Sequence, residues 1–137
     1  MNKIEMTVEA DMENFGKIIE VVDTQLESID CPMKTQMQID MAIDEIFTNI
    51  VSYGYKDEKG SVTVNLEIIK EPLQAIVTFI DKGIPYNPLE KEDPSISGTA
   101  EERQIGGLGI FMVKKSMDDM IYENIDGQNI LTIKKYI

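Results

Sequence analysis

Glu45 and Asn49 stand four residues apart in a segment whose apolar residues recur with helical spacing, so both side chains lie on one helix face, one turn apart. They fall at the edge of the apolar arc, where a pocket wall would be, and Tyr53 continues the row. An asparagine carbonyl oxygen can ligate Mg²⁺, and a glutamate carboxylate can deprotonate a hydroxyl group or a water one turn away. The alternative is a solvated glutamate beside an asparagine at the helix edge.

A second candidate is Asp81, which closes a segment of alternating apolar and polar residues. The alternation places Asp81 on the same face as Val77 and Phe79, and a carboxylate on an apolar face needs a partner. Such a carboxylate can accept a hydrogen bond from an adenine amino group, and Gly83 would permit the close approach of a flat ring. The alternative is an ordinary turn after a strand.

A third candidate is the glycine-rich start of a helical segment, with glycines at positions 106, 107 and 109. The first turn of a helix leaves backbone N–H groups unpaired and exposes the positive end of the dipole, and both suit phosphate oxygens. The segment lacks the lysine and hydroxyl residue of a P-loop and does not follow a strand as a Rossmann turn does. The alternative is a flexible hinge.

These candidates need a framework that brings them together, and the residue patterns predict one. Period-two alternation predicts strands at 3–9, 62–68, 73–79, 120–125 and 130–134. Helical spacing predicts helices from an N-cap at Asp11 to residue 28, from 33 to 53 with Gly54 ending it in a left-handed conformation, and from 107 to 117. This order predicts an α+β fold, a two-layer sandwich with a mostly antiparallel sheet and three helices on one face.

The size and composition predict one domain spanning residues 1–137, with a mobile lid at about 84–106 where proline, glycine and acidic residues interrupt any regular pattern. The net charge of -12 argues against direct nucleic-acid binding and against an anionic membrane surface. The lone Cys31 excludes an internal disulfide, and the absence of histidine excludes phosphohistidine chemistry within the chain. No apolar run approaches membrane-spanning length, so we expect a cytoplasmic protein.

Taken in order, these segments resemble the N, G1 and G2 boxes of the gyrase, chaperone, histidine-kinase and mismatch-repair ATPase superfamily. Three stretches look most like the anti-sigma-factor serine/threonine kinases of bacterial stress and sporulation control: TNIVSYGY at 48–55, DKGIPYNP at 81–88 and GGLGIF at 106–111.

The resemblance implies a Bergerat-type fold, ATP and Mg²⁺ under a mobile lid, and phosphorylation of a serine on an anti-sigma antagonist. It further implies a homodimer and the binding of a sigma factor. Glu45 would be the catalytic base and Asn49 the Mg²⁺ ligand. The ATP-binding residues it implies are Asn49, Tyr53, Asp81, Gly83, Pro85, Gly107, Leu108, Gly109, Ile110 and Thr132.

Two positions depart from the wider superfamily. Pro85 replaces a glycine of the G1 box, although proline looks at home in the anti-sigma branch, and Arg103 is the one counterpart of an arginine that some of these kinases carry just before the G2 glycines. Two other functions stay open at the level of sequence: a nucleotide-controlled partner-binding module with little or no phosphotransfer, and a detached histidine-kinase catalytic domain that acts in trans.

Overall fold

The structure is a computed structural model that describes residues 2–56, 58–85, 87–90 and 107–137. Its strands are β1 (Asn2–Glu9), β2 (Ser61–Ile69), β3 (Gln74–Asp81), β4 (Asp119–Ile125) and β5 (Gln128–Tyr136). Its α-helices are α1 (Phe15–Ser28), α2 (Met33–Asn49) and α3 (Gly107–Ser116). Shorter turns complete it: 3-10 turns at Met12–Asn14 and Pro88–Glu90, and a π turn at Ile50–Gly54.

The five strands form one antiparallel sheet in the order β1-β2-β3-β5-β4. The pairing of β3 with β5 departs from chain order, because α3 and β4 lie between these two strands in the sequence. It brings the end of β3 beside the start of β5, so that Asp81 is the register partner of Asn129. Two segments distant in the chain therefore meet inside the sheet.

One face of the sheet carries the core. Along β2 and β3 every second residue is buried, as the alternation predicts. The helices contribute apolar side chains to the same cluster, including Ile18 and Val22 from α1, Phe47 from α2 and Val113 from α3. The predicted α+β fold, with an antiparallel sheet and three helices, is confirmed.

Two predicted helices have different ends in the structure. Asp11 accepts a hydrogen bond from Glu13 N, but it caps the 3-10 turn, and the α-helix begins only at Phe15. The second helix leaves α geometry after Asn49 and continues as the π turn Ile50–Gly54, closed by a bond from Tyr55 N to Ile50 O of 3.0 Å.

Gly54 does not have the left-handed conformation predicted for it. Among the described residues of this connection, Lys56 has a positive φ, of 50°. Gly54 instead uses its backbone carbonyl to accept a 2.8 Å hydrogen bond from Ile84 N, which ties the end of the helix to the segment after β3. Among the helices that the structure describes, none is long and apolar enough to cross a membrane.

Candidate functional site

A small cavity, of about 30 Å³, opens where the C-terminal end of α2 faces the ends of β3 and β5. Its walls are mostly apolar, and a few polar groups converge on it. The lining residues are Ile46, Asn49, Ile50, Gly54, Asp81, Ile84, Pro88, Ile110, Tyr122, Asn129 and Leu131.

Asp81 is the buried carboxylate of this cavity. Its Oδ1 accepts two hydrogen bonds, from Gly83 N at 2.8 Å and from Asn129 Nδ2 at 3.0 Å. Burial raises the pKa of Asp81, while the hydrogen bonds from Asn129 and Gly83 act in the opposite direction. Within the described part of the chain nothing donates to Oδ2, so this oxygen is available to a ligand that carries an N–H group.

Asn129 belongs to the site, although the sequence patterns did not single it out. It is 5% exposed, and its Nδ2 also lies 3.3 Å from Gly83 O and 3.2 Å from Ile84 O. Its Oδ1 accepts from Tyr122 Oη and, at 2.9 Å, from Asn124 Nδ2. Alternation with the apolar Leu131 could have placed Asn129 on the buried face. Its proximity to Asp81 depends on the pairing of β3 with β5, which no local pattern reveals.

The structure gives Gly83 a role in packing, and its role beside a flat ring stays a prediction. We expected it to make room for a flat ring, but a Cβ atom at this position would lie 2.6 Å from Gly54 O. The missing side chain therefore lets the segment after β3 pack on the backbone of the π turn, with Ile84 N bonded to Gly54 O. This contact builds one wall of the cavity.

Asn49 lines the cavity, and its buried Nδ2 has no hydrogen-bond partner among the described residues. A buried amide group without a partner is costly unless a ligand satisfies it. Since the two ends of an asparagine amide exchange places by rotation of the side chain, Asn49 can turn either its donor or its acceptor toward a ligand. The donor set thus fits a nucleotide with its cation.

That cation would depend on Asn49 and on oxygens of the ligand and of water. In residues 2–56, 58–85, 87–90 and 107–137 no group of three or more histidine, cysteine, aspartate or glutamate residues could hold a metal. Mg²⁺ commonly keeps several waters and binds through one or two protein oxygens together with phosphates. The residues present therefore fit Mg²⁺ as part of a nucleotide complex.

Glu45 does not line this cavity. It stands on the wall of a second concavity, of about 380 Å³, between α2 and α3, which we call the α2–α3 groove. A Cβ atom at Gly109 would overlap the Glu45 carboxylate, so the carboxylate lies directly against the first turn of α3. The positive end of a helix dipole favours a negative group at this position.

The structure brings some of the predicted ligand residues together and leaves others apart. Ile110 lines the cavity with a buried apolar side chain. Pro85 is exposed, and Pro88 lines the cavity in its place. Tyr53 is 41% exposed and does not line the cavity, because the π turn shifts it off the straight helical row.

Thr132 lies on the wrong face of the sheet for this site. It pairs with Thr78, whereas the neighbouring pairs Phe79 with Leu131 and Asp81 with Asn129 point toward the helices and the cavity. Because successive strand residues point to opposite faces, Thr132 points away from the cavity.

The start of the predicted phosphate loop is described only in part. Gly107 is the first residue of α3 and Leu108 the second, followed by Gly109 in contact with Glu45. The predicted lid at about 84–106 falls largely outside the described residues, and Arg103 falls entirely outside them.

The chain is similar in sequence to several named proteins. The serine-protein kinase RsbW of Bacillus mycoides is 31% identical over 101 residues, which cover 71% of this chain and 61% of that protein. The anti-sigma F factor of Clostridium acetobutylicum is 25% identical over 134 residues, which cover 98% of this chain and 92% of that protein. The match to the RsbW relatives thus spans about three fifths of their length.

Solved structures share the fold. The RsbU and RsbW domains of a Mycobacterium tuberculosis protein superpose with a TM-score of 0.70 at 17% identity, covering 99% of this chain and 32% of that one. SiaB in the SiaB-SiaC complex of Pseudomonas aeruginosa superposes with a TM-score of 0.65 at 13% identity, covering 98% of this chain and 89% of that one. The sequence profile of the histidine kinase-like ATPase domain matches residues 8–135, and the chain belongs to that family.

Proposed function

We propose that this chain is an anti-sigma regulatory factor that binds ATP with Mg²⁺ and transfers the γ-phosphate to a serine of an anti-sigma antagonist protein. The observation that carries the proposal is the way α2 presents its two candidate residues. Asn49 faces the cavity that holds Asp81, while Glu45, one turn away, faces the α2–α3 groove at the first turn of α3. A nucleotide and an acceptor hydroxyl could thus meet at one helix from two sides.

The adenine ring would bind at the Asp81 end of the cavity. The Asp81 Oδ2 can accept a hydrogen bond from the adenine amino group, because Oδ1 is already occupied by Gly83 N and Asn129 Nδ2. Apolar side chains such as Ile50 and Leu131 form walls against which a flat ring can pack. Asn129 holds Asp81 in place, so the carboxylate is oriented before the ligand arrives.

The phosphates would lie toward Asn49 and α3. The amide oxygen of Asn49 would hold the cation, and Mg²⁺, when bound, would neutralise charge that develops on the phosphate oxygens. The first turn of α3 leaves backbone N–H groups unpaired, and such groups suit phosphate oxygens. These backbone and amide donors oppose the net charge of -12, which would otherwise repel ATP.

Glu45 would act as the general base. Its carboxylate takes the proton of the serine hydroxyl, the serine oxygen bonds to the γ-phosphorus, and the bond from that phosphorus to the bridging oxygen breaks. ADP leaves with the electron pair of the broken bond. The contact with Gly109 holds the carboxylate against α3 and limits where the acceptor can bind.

The names of the relatives support the partners that we propose. One relative is named an anti-sigma F factor, and one structural neighbour was solved as the SiaB-SiaC complex. By analogy, the partner of this chain would be a small antagonist protein that offers a serine, together with a sigma factor that is held when the antagonist is phosphorylated. The active form would be a homodimer.

The test incubates the protein with γ-labelled ATP, Mg²⁺ and candidate antagonist proteins, and compares wild type with Glu45→Gln. Loss of a positioned general base lowers phosphotransfer by about 10²- to 10⁴-fold, and we expect ATP affinity in calorimetry to stay within about twofold. Glu20→Gln, on the exposed side of α1, controls for the loss of one negative charge. Transfer by Glu45→Gln at the wild-type rate would refute the role of Glu45.

The same experiment separates the other functions. Tight binding of ATP with no phosphoprotein would favour a nucleotide-controlled partner-binding module. No rise in melting temperature with Mg-ATP would refute nucleotide binding altogether, since a ligand that binds only the folded state must stabilise it.

A further inference from the structure

The hydrogen bonds around Asn129 reach a third strand, β4. Asn124 on β4, Asn129 on β5 and Asp81 on β3 are register partners in one row across the sheet. Asn124 Nδ2 donates a 2.9 Å hydrogen bond to Asn129 Oδ1, and the hydroxyl group of Tyr122, also on β4, donates to the same oxygen. Tyr122 lines the cavity, whereas Asn124 does not. β4 therefore supplies two donors that hold the oxygen end of the Asn129 amide.

The nitrogen end of the same amide faces more acceptors than it has hydrogens. Nδ2 of Asn129 lies 3.0 Å from Asp81 Oδ1, 3.2 Å from Ile84 O and 3.3 Å from Gly83 O. An amide nitrogen carries two hydrogens, so these three acceptors compete for them. The direction in which the two hydrogens point therefore decides how well Asp81 is bonded.

The oxygen end fixes that direction, because an amide group is planar. With two donors at Asn129 Oδ1, the amide plane has little freedom to rotate. The Tyr122 ring packs against the apolar core, so its hydroxyl group is held in place. Asn124 is exposed, and water competes for its amide group. Tyr122 is thus the stronger of the two constraints on Asn129.

The two ends of the Asn129 amide also act on each other. Hydrogen bonds in series polarise one another, so donation to Asn129 Oδ1 strengthens donation from its Nδ2. Asp81 Oδ1 accepts that bond and accepts a second one, of 2.8 Å, from Gly83 N. Because a carboxylate is planar, holding one oxygen in this way also directs the other.

We propose that Tyr122 is a positioning residue for nucleotide recognition. Its hydroxyl group holds the Asn129 amide so that one Nδ2 hydrogen stays on Asp81, and Asp81 then presents its second oxygen to the adenine amino group. The inference rests on the proposed binding of ATP and adds to it a residue on β4 that sets the preference for an amino group on the purine ring. Tyr122 acts through Asn129 and needs no contact of its own with the nucleotide.

The experiment is a double-mutant cycle on the Kd for ATP, measured by calorimetry with Mg²⁺. Tyr122→Phe removes the hydroxyl group and keeps the ring, so we expect the Kd for ATP to rise about three- to tenfold. The Kd for inosine triphosphate, which has an oxygen in place of the amino group, should change less than about twofold. In the Asn129→Ala background, Tyr122→Phe should raise the Kd for ATP less than about twofold, because the hydroxyl group acts through Asn129.

Tyr136→Phe is the matched control. Tyr136 lies on β5, is 46% exposed and does not line the cavity, so the loss of its hydroxyl group should leave the Kd for ATP unchanged. An unchanged Kd for ATP in Tyr122→Phe, an equal rise for both nucleotides, or additive effects of Tyr122→Phe and Asn129→Ala would each overturn the positioning role. Failure of the proposed function is detected separately, since the wild-type protein would then bind no ATP.

A second measurement needs neither nucleotide nor Asn129→Ala. In an NMR spectrum, the two hydrogens of Asn129 Nδ2 give separate resonances, and the hydrogen bonded to Asp81 lies downfield of that of a free amide. We expect this resonance to move upfield in Tyr122→Phe and to stay in place in Tyr136→Phe. A resonance that does not move in Tyr122→Phe would overturn the inference, whatever the protein does with ATP.

Discussion

Asn129 Nδ2 donates a 3.0 Å hydrogen bond to Asp81 Oδ1, and the two residues are register partners at the ends of β5 and β3. The same oxygen accepts from Gly83 N, so the protein itself uses one side of the carboxylate. No described residue donates a hydrogen bond to the other oxygen. This arrangement determines the donor and acceptor pattern that the cavity can recognise.

Asp81→Asn should reverse that pattern. The new amide would keep its oxygen toward Asn129 Nδ2 and Gly83 N, since both are donors, and would turn its NH₂ group toward the ligand. Two N–H groups would then face each other, so the Kd for ATP should rise about 10- to 100-fold. Inosine triphosphate, which carries an oxygen in place of the adenine amino group, should lose much less affinity. Calorimetry with both nucleotides measures the ratio of the Kd for ATP to the Kd for inosine triphosphate.

The control for Asp81→Asn is Asp126→Asn in the turn between β4 and β5, which removes the same charge at an exposed side chain that does not line the cavity. A ratio of ATP to inosine triphosphate affinity that is equal in Asp81→Asn and wild type would contradict the assignment of Asp81 to the adenine amino group.

Asn129→Leu should lower the free energy of unfolding by about 1 to 3 kcal/mol, because it leaves buried polar groups without partners. Asp81 loses a donor, and Tyr122 Oη loses its acceptor. Urea denaturation without nucleotide measures the effect. Asn124→Ala removes an exposed member of the same network and should cost less than about 1 kcal/mol. Equal decreases in the free energy of unfolding in the two variants would show that the buried amide of Asn129 is not the centre of the network.

Gly109→Ala should impair phosphotransfer more than ATP binding. The added methyl group overlaps the Glu45 carboxylate, which must then move away from α3. A displacement of about 1 Å at a reacting group can cost about 10²-fold in rate. Single-turnover phosphotransfer and calorimetry, performed side by side, measure the two effects.

The matched control is Gly16→Ala in α1, where a Cβ atom meets nothing within 4 Å. This variant should be stabilised by up to about 1 kcal/mol through helix propensity alone and should transfer phosphate normally. If Gly109→Ala transferred phosphate as fast as Gly16→Ala, the position of Glu45 would not limit the reaction.

Stability should depend on pH through a pair of carboxyl groups between α1 and α2. Burial, a hydrogen bond with Asp23, and the charges of Asp23 and Glu27 raise the pKa of Asp40 from 3.8 to about 7. Between these values the folded protein holds a proton that the unfolded chain has lost, so the free energy of unfolding falls as pH rises through this window. Asp40→Asn should remove this decrease in the free energy of unfolding. The variant should therefore be more stable than wild type at pH 8 and about equally stable at pH 4.

Thermal melts from pH 4 to pH 8 measure this effect, and Glu20→Gln on the exposed side of α1 provides the comparison. A melting temperature that declines with pH as steeply in Asp40→Asn as in Glu20→Gln would assign the pH dependence to other groups.

Much of the fold could be predicted because its signals are local. The alternation in β2 and β3 and the helical spacing in α2 are properties of neighbouring residues, and both appear where expected. The π turn after Asn49 was not predictable, because it is held by the bond between Gly54 and Ile84, which lie thirty residues apart in number. Tyr53 leaves the predicted row for the same reason.

The misplacement of Thr132 has a different cause. Its alternation with Leu131 and Ile133 already placed it on the opposite face of the strand from those apolar residues. The predicted strand was correct. The same alternation, however, did not support Thr132 as a ligand-binding residue. Asn129, on the cavity side of the same strand, is the residue that contacts Asp81.

By itself, the sequence determined the elements, the α+β class and the identities of Glu45, Asn49 and Asp81, because these depend on short-range periodicity and on residue chemistry. Only the tertiary structure decided which groups meet. The pairing of β3 with β5 joined Asp81 to Asn129, and the packing of α3 on α2 set Glu45 against Gly109, apart from the cavity of Asn49. Such contacts link residues far apart in the chain, and they form only when the sheet register and helix packing bury the core.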